Sequence, residues 1–231
     1  MTRTYKLHIK LLSRAAIASA EGYGALIDTD IVFDDVGLPY IPARRIKGCF
    51  RDSAIEVLDM LTQAKIEGLL DLTIEGNEKF KYKLINDLFG IPGMGRTSQV
   101  LFSNLYINNY ELVRQWLRYL IEDKGNEIIS KDAVIAYYTD TTNQTAIDKD
   151  TGTAKRTSLR TIRSLKSGIE FIGELTIEAP SPAHEMILCL AAINLRSMGS
   201  LRTRGFGRVK CEIDGIDSSH ILKTVEGLCI N

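Results

Sequence analysis

Apolar patterns in the order β-α-β, then β-α-β again, predict an α+β fold with a ferredoxin-like, RRM-like core interrupted by long insertions. Three observations carry this expectation. Four short stretches read as strands, an amphipathic helix follows the first and the third of them, and the chain between these units is too long for simple connections. With 231 residues, 45% of them hydrophobic, the chain has enough apolar material to bury a core.

Residues 5–11 alternate apolar and polar with period two, as a half-buried strand does. Residues 13–40 are small, Gly-containing and acidic, without helical period, and are expected to form a long loop. After Pro42, residues Ile46, Phe50, Ala54, Val57, Leu58 and Leu61 recur at spacings of three and four. They predict an amphipathic helix of about five turns, with proline at its start. Residues 68–98 are mixed and Gly-rich. Residues 100–107 read as a second strand, and 110–121 as a helix turning Leu112, Trp116, Leu117 and Leu120 inward. From 139 to 168 the pattern disappears into Thr, Asp, Lys and Arg. Residues 169–177 form the third strand pattern. Residues 182–198 predict a helix with Met186, Leu190, Ile193 and Met198 on its apolar side, and 206–213 are the last strand. The insertions therefore fall at about 64–98 and 109–168, within a single domain over 1–231.

No run of about 18 apolar residues is present, so no membrane-spanning helix is expected. The chain enters its first strand directly, without a secretory-signal pattern. Cys49, Cys189, Cys211 and Cys229 are scattered and form no C-x-x-C pair. Neither a zinc site nor a disulfide framework is expected, and a reducing cytoplasm is the compartment inferred. Formal net charge is zero, but it is unevenly distributed. Asp28, Asp30, Asp34 and Asp35 crowd one short stretch. Lys155, Arg156, Arg160, Arg163 and Lys166 form a basic run without an acid, and Arg196, Arg202, Arg204, Arg208 and Lys210 form another. Phosphate binding needs local positive potential rather than global charge.

Three motifs carry chemistry. In Gly37-Leu-Pro-Tyr-Ile-Pro-Ala-Arg-Arg-Ile-Lys-Gly-Cys-Phe-Arg51, two prolines stiffen the approach to a helix whose first turns hold Arg44, Arg45, Lys47 and Arg51. Free N–H groups at such a terminus, with adjacent cations, suit phosphate. Gly48 costs that helix about 1 kcal/mol against alanine, which suggests close approach by a ligand or by packing. The second motif is Gly199-Ser-Leu-Arg-Thr-Arg-Gly-Phe-Gly-Arg208. With Gly199, Gly205 and Gly207 it makes a flexible cationic turn able to follow a phosphate backbone. It follows a helix and is not a dinucleotide fingerprint. The third is the aspartate cluster, whose carboxylates suit a hard cation or general-base work. Gly90-Ile-Pro-Gly-Met-Gly-Arg-Thr97 mimics a P-loop, but arginine replaces the lysine and a strand follows, so a nucleotide triphosphatase is rejected. His8, His184 and His220 are isolated in sequence.

Together these residues resemble the RAMP superfamily of CRISPR proteins, and most of all the repeated backbone subunit of type III effector complexes. The resemblance rests on Asp28-Thr-Asp-Ile-Val-Phe-Asp34 followed by Leu38-Pro-Tyr-Ile-Pro-Ala-Arg-Arg-Ile-Lys-Gly48, and on Leu88-Phe-Gly90. It rests equally on Ile147-Asp-Lys-Asp-Thr-Gly-Thr-Ala154 leading to Ser158-Leu-Arg160 and Gly168-Ile-Glu-Phe171, and on the Gly199–Gly207 loop. The resemblance implies a palm with a thumb β-hairpin at about 139–168. It also implies binding to a CRISPR guide RNA and its target RNA, and assembly with other copies or related RAMP subunits. A large signalling subunit and small helical subunits would complete the complex. Arg44, Arg45, Lys47, Arg51 and the late glycine loop would grip the guide, and base pairing would supply sequence specificity. Asp28, or alternatively Asp30, would cleave target RNA, aided by a divalent cation such as magnesium whose ligands the sequence leaves unknown. Lys155 or Arg156 would stabilise developing charge.

Other readings share parts of this pattern. Ala43-Arg44-Arg45-Ile46 stands where the family often has Gly-Ser-Ser, which also fits a non-catalytic guide-binding or 5′-tag-capping subunit. A guide-processing endonuclease would need more than His8. An unrelated RRM protein would carry aromatic-rich strands that this chain lacks.

Overall fold

A computed structural model of the chain describes residues 1–17, 31–66, 82–91, 98–122, 129–145, 147, 152–153 and 160–229. Among these the elements run β1 (Thr2–Leu11), β2 (Tyr40–Ile41), α1 (Ala43–Gln63), α2 (Lys83–Phe89), β3 (Val100–Phe102), β4 (Leu105–Ile107), α3 (Tyr110–Glu122) and α4 (Lys131–Tyr138). They continue with β5 (Thr139–Gln144), β6 (Arg160–Leu165), β7 (Glu170–Glu178), α5 (Pro182–Asn194), a 3-10 turn at Arg202–Arg204, β8 (Val209–Ile213) and α6 (Ser218–Cys229). The result is a mixed α/β structure. Its main sheet has the order β2-β4-β7-β1-β8, with β3 also on β7, and every pairing is antiparallel. β5 and β6 form a separate antiparallel hairpin sheet.

The period-two pattern of β1 buries Tyr5, Leu7, Ile9 and Leu11 on one face, beside Phe171, Leu175 and Ile177 of β7 and Val209 and Cys211 of β8. Ile46, Phe50, Ala54, Val57, Leu58 and Leu61 of α1 share that core with Ile187, Leu188 and Ala191 of α5. Each such side chain, fully buried, contributes about 1.5–3 kcal/mol. The opposite sheet face is charged: Lys6 lies across from Glu174, and Lys10 across from Glu170 and Lys210. α5 starts in a capping box, in which His184 N–H donates to Ser181 Oγ and the His184 ring accepts from Ser181 N–H. That role accounts for one of the three histidines.

The structure corrects several expectations. The second strand is two, because the register against β7 slips by one residue where Ser103, Asn104 and Leu105 face Glu174 and Gly173. This β-bulge re-aims Asn104, with consequences described below. α3 packs Val113, Leu117 and Ile121, partly buried, against the core, while Leu112 and Trp116 are 57% and 60% exposed. The helical period allowed either apolar side inward, and a salt link decides which. Arg114 Nε donates to Asp35 Oδ1 at 3.0 Å, and Arg118 donates to Asp35 Oδ2, holding the Arg114–Arg118 edge against the acidic turn. α5 ends at Asn194, which leaves Ile193 42% exposed and Met198 buried beyond the helix. The start of the 13–40 stretch is not loose loop, since Ala15, Ala16 and Ile17 are buried and Ala15 and Ala16 are paired; within 139–168, where a hairpin was expected, β5 and β6 pair antiparallel. α2, α4 and α6 are short helices without a legible pattern. Among the described residues no helix is long and apolar enough to cross a membrane.

The Asp35 link predicts a pH signature. Hydrogen bonds from Arg118, then Arg114, hold the Asp35 carboxyl at about 2, below its ordinary 3.8. A depressed carboxylate stabilises the fold above its ordinary pKa, and that contribution fades as pH falls toward 2. Wild type should therefore lose stability more steeply across this window than Asp35→Asn, measured by denaturant unfolding at each pH. Parallel curves would mean that the link contributes nothing.

Candidate nucleic-acid interface

The interface is organised by the residues that follow β1. Ala15, Ala16 and Ile17 are buried, and the segment pairs along both edges. On one edge, Leu12 N–H donates to Arg208 O at 2.7 Å, Gly207 N–H to Arg14 O at 2.7 Å, and Ser200 N–H to Ala16 O at 3.0 Å. On the other, Ala15 N–H donates to Leu165 O at 3.0 Å and Leu165 N–H returns to Ala15 O at 2.8 Å. The glycine loop and hairpin strand β6 are thus stitched to opposite sides of one strip of backbone.

Within the loop, Gly207 has φ +75°, and a Cβ built there would sit 2.0 Å from Met198 O. Gly205 has φ +80° but open space around it. Gly199 packs against Ala16 O. These glycines let the loop lie flat on the strip while Arg202, Arg204 and Arg208 remain exposed. Arg204 reaches the hairpin, donating to Gln144 Oε1 of β5 at 2.6 Å, and the Arg14 guanidinium lies 5.2 Å over the Phe206 ring.

α1 enters from Pro42, whose ring offers no side-chain cap. Ala43 N–H instead donates to Asn104 Oδ1 at 2.9 Å, the bulge residue of the sheet. The four cations expected to act together occupy two sides of α1. Arg44 and Arg45 are exposed, and Arg45 lines a cleft of about 450 Å³ shared with Arg202 across from it. Lys47 and Arg51 are half-buried. Arg51 donates to Gly90 O at 3.4 Å. Burial, then the charge of Arg51, pushes the Lys47 ammonium pKa down, and burial does the same to Arg51. Gly48 is exposed, and an added Cβ would meet nothing within 4 Å. Packing among the described residues therefore does not explain this helix glycine.

The acidic cluster divides. Asp28 and Asp30 lie outside the described residues, as do Lys155 and Arg156. Asp34 is structural. Its Oδ1 accepts from Val36 N–H at 3.0 Å and Leu38 N–H at 2.8 Å, shaping the turn into the Pro39–Pro42 approach. Tyr110 donates its hydroxyl to Asp34 Oδ2 at 3.0 Å; burial, and this carboxylate, raise the phenol's pKa well above its ordinary value. Phe33, just before Asp34, bridges to Pro39 and lies under the Arg163 guanidinium at 5.7 Å. Hairpin and acidic turn therefore meet at Phe33. Arg160, exposed, begins β6 opposite Gln144. Lys166 has left the group, because its ammonium donates to Ala136 O and Tyr137 O at the end of α4.

Among the described residues no group of three His, Cys, Asp or Glu converges to hold a metal ion. Asp34 and Asp35 are engaged by backbone, tyrosine and arginine, so the described carboxylates do not fit the divalent cation expected from the sequence. Ser13, Arg14, Asn104 and Gln144 were missed by sequence reasoning. Each is an ordinary polar residue whose role comes from a partner distant in the chain.

The RAMP superfamily family model matches residues 8–210. No curated protein sequence matches. Among solved structures, a chain of the Type III-B Cmr-beta complex bound to cognate target RNA superposes with a TM-score of 0.63 at 13% identity, covering 95% of this chain and 98% of that one. A chain of the Type III-B Cmr-beta apo state gives 0.60 at 12% identity, covering 92% and 97%. At these identities the likeness is one of fold.

The two loop glycines predict different costs. Gly205→Ala should destabilise by about 1–2 kcal/mol, the cost of a left-handed backbone alone. Gly207→Ala adds a collision with Met198 O and should cost clearly more. Thermal unfolding of both variants checks the order, and equal losses would contradict it.

Proposed function

This chain belongs to the RAMP superfamily, and from that membership we propose that it is a guide-RNA-binding backbone subunit of a type III CRISPR effector complex that cleaves target RNA. The carrying observation is that the glycine loop and hairpin strand β6 are paired to opposite edges of the buried strip after β1, with the acidic turn meeting β6 at Phe33. The neighbouring order β8-β1-β7 with β3 and β4 reads as the four-strand core of a ferredoxin-like palm, with α1 and α5 as its helices. The β5–β6 hairpin reads as the thumb within the 109–168 insertion of a single domain. That one similar structure is of a complex bound to cognate target RNA supports RNA as the ligand, and supports neighbouring RAMP subunits as partners.

In this reading Arg44, Arg45, Arg202, Arg204 and Arg208 hold guide phosphates, and Arg160 and Arg163 bring charge to the base of the thumb. Lys47 and Arg51, half-buried beside Gly90, contribute from the second side of α1. Cleavage proceeds by attack of a target 2′-hydroxyl on its adjacent phosphorus. The P–O5′ bond breaks, leaving a 2′,3′-cyclic phosphate and a 5′-hydroxyl. Asp28, three residues before Ile31 in the sequence, takes the proton from the attacking hydroxyl, and solvent protonates the leaving oxygen. Lys155 or Arg156 of the thumb stabilises the phosphorane charge. A divalent cation would be a requirement of the assembled complex, where it would help to stabilise the charge that develops on the phosphate.

Asp28→Ala in the assembled guide complex should reduce regularly spaced cutting by about 100-fold or more with target binding retained, while Asp30→Ala cuts normally. If both variants cut like wild type, the subunit is a scaffold. Gly48→Ala tests the guide-gripping side of α1. It should stabilise the free protein by about 1 kcal/mol and weaken guide binding, because the methyl group fills space the RNA backbone needs. Unchanged affinity in a binding titration would remove RNA from that position.

A further inference from the structure

The main sheet ends differently at its two edges. At one, β2 is flanked by Pro39 and Pro42, and Tyr40 N–H donates to Val32 O at 3.2 Å. Prolines and a covering segment close an edge against further strands. At the other, β1 is the only strand paired with β8 among the described residues.

The backbone groups that β8 leaves open follow from observed hydrogen bonds. Leu12 N–H donates to Arg208 O at 2.7 Å and Asp214 N–H to Lys6 O at 2.9 Å, so the even-numbered residues face β1. In an antiparallel ladder the alternate residues point the other way. Val209 N–H is taken by Arg196 O at 3.0 Å, which closes that end. Cys211 and Ile213 are left with N–H and C=O directed to the free edge. A cleft of about 600 Å³ runs between this edge and α5. Cys189, Ala192 and Ile193 give it an apolar wall, and Arg196 stands at the Val209 end.

Edge and cleft together select an extended backbone, because a strand meets groups that recur every second residue. Its side chains follow from the register. Residues opposite Cys211 and Ile213 project with them toward the apolar wall of α5, and apolar side chains fit there. Residues opposite Lys210, Glu212 and Asp214 project to the charged face, where these side chains are 60%, 59% and 64% exposed. Charge complementarity, on a strand antiparallel like every other in the sheet, reads base-apolar-base-apolar-acid from N to C terminus. The acid falls opposite Lys210, at the end where Arg196 also stands. A second β8 carries this pattern in Arg208 to Glu212, but it is blocked. Its Ile213 would face Val209 of the first copy, a place that Arg196 O already holds.

We propose that the free edge of β8 is a docking site for an extended segment of a different protein. That segment adds a strand antiparallel to β8, with alternating apolar residues, basic charge toward its N-terminal side and an acid toward its C-terminal side. The site uses neither the glycine loop's exposed arginines nor the thumb, so it stands apart from the RNA-binding reading.

Backbone amide exchange, followed by NMR on the full chain, tests the edge first. The amides of Cys211 and Ile213 should exchange at least about tenfold faster than those of Lys210 and Glu212, which face β1. The probe is the peptide acetyl-Thr-Lys-Val-Arg-Val-Glu-Thr-amide, added at about 1 mM. It should slow the Cys211 and Ile213 amides about tenfold and leave Lys210 and Glu212 unchanged. Exchanging its acidic and basic residues should weaken binding at least about fivefold. Ile193→Glu, at a position 42% exposed in the cleft wall, should abolish binding. Equal protection of all four amides in the free chain would show that the edge is already closed. The proposal also fails if the probe protects neither amide, or if its charge-exchanged form binds as well. A concentration-dependent dimer in sedimentation that Ile193→Glu disperses would assign the edge to a second copy instead.

Discussion

The strip of backbone after β1 pairs along both edges, and that double pairing determines where the glycine loop and the hairpin are placed. One edge takes the glycine loop through Arg208, Gly207 and Ser200; the other takes β6 through Leu165. Ala15 and Ala16 are almost fully buried there. Backbone hydrogen bonds enclosed in this way cannot exchange for water without leaving polar groups unpaired. The loop arginines and the hairpin therefore hold fixed positions relative to the central strand of the sheet, although more than 180 residues of chain separate Ala16 from Ser200.

Charge is sorted by the same framework. Asp35 is neutralised by Arg114 and Arg118, Lys210 pairs with Glu212, and Lys166 closes the end of α4. These links consume charge for structure. What they leave at the interface is mainly cationic and exposed: Arg44, Arg45, Arg160, Arg202 and Arg208. A net charge of zero is thus compatible with strong local positive potential. The exception is the α1 cleft, which Asp52 and Glu56 line together with Arg45 and Arg202.

The bulge in the second strand shows how a local irregularity serves the site. Gly173 admits it, since a Cβ there would lie 2.2 Å from Leu105 Cδ2. The extra residue turns Asn104 toward α1, where it receives the Ala43 N–H that Pro42 leaves uncapped. A sheet defect and a proline-led helix start, unrelated in sequence, complete one another.

Residues 5–11, the apolar stripe from Ile46 to Leu61 and the loop from Gly199 to Arg208 were legible because period, spacing and composition are local properties. So was the family, whose motifs are short and contiguous. The two-sided helix α3 was not, because Leu112 and Trp116 satisfy the same period as Val113 and Leu117, and only the contact with Asp35 chooses between them. The equal-looking aspartates were not separable either. Asp34 and Asp35 become structural only when Tyr110 and α3 arrive. Sequence by itself determined the main strands and helices of the core, the family and the inventory of charges, since each depends on neighbours in the chain. The tertiary structure alone decided which charges are cancelled, which face a cleft and which glycines are indispensable, since those depend on hydrogen bonds and close approaches between residues far apart in the chain.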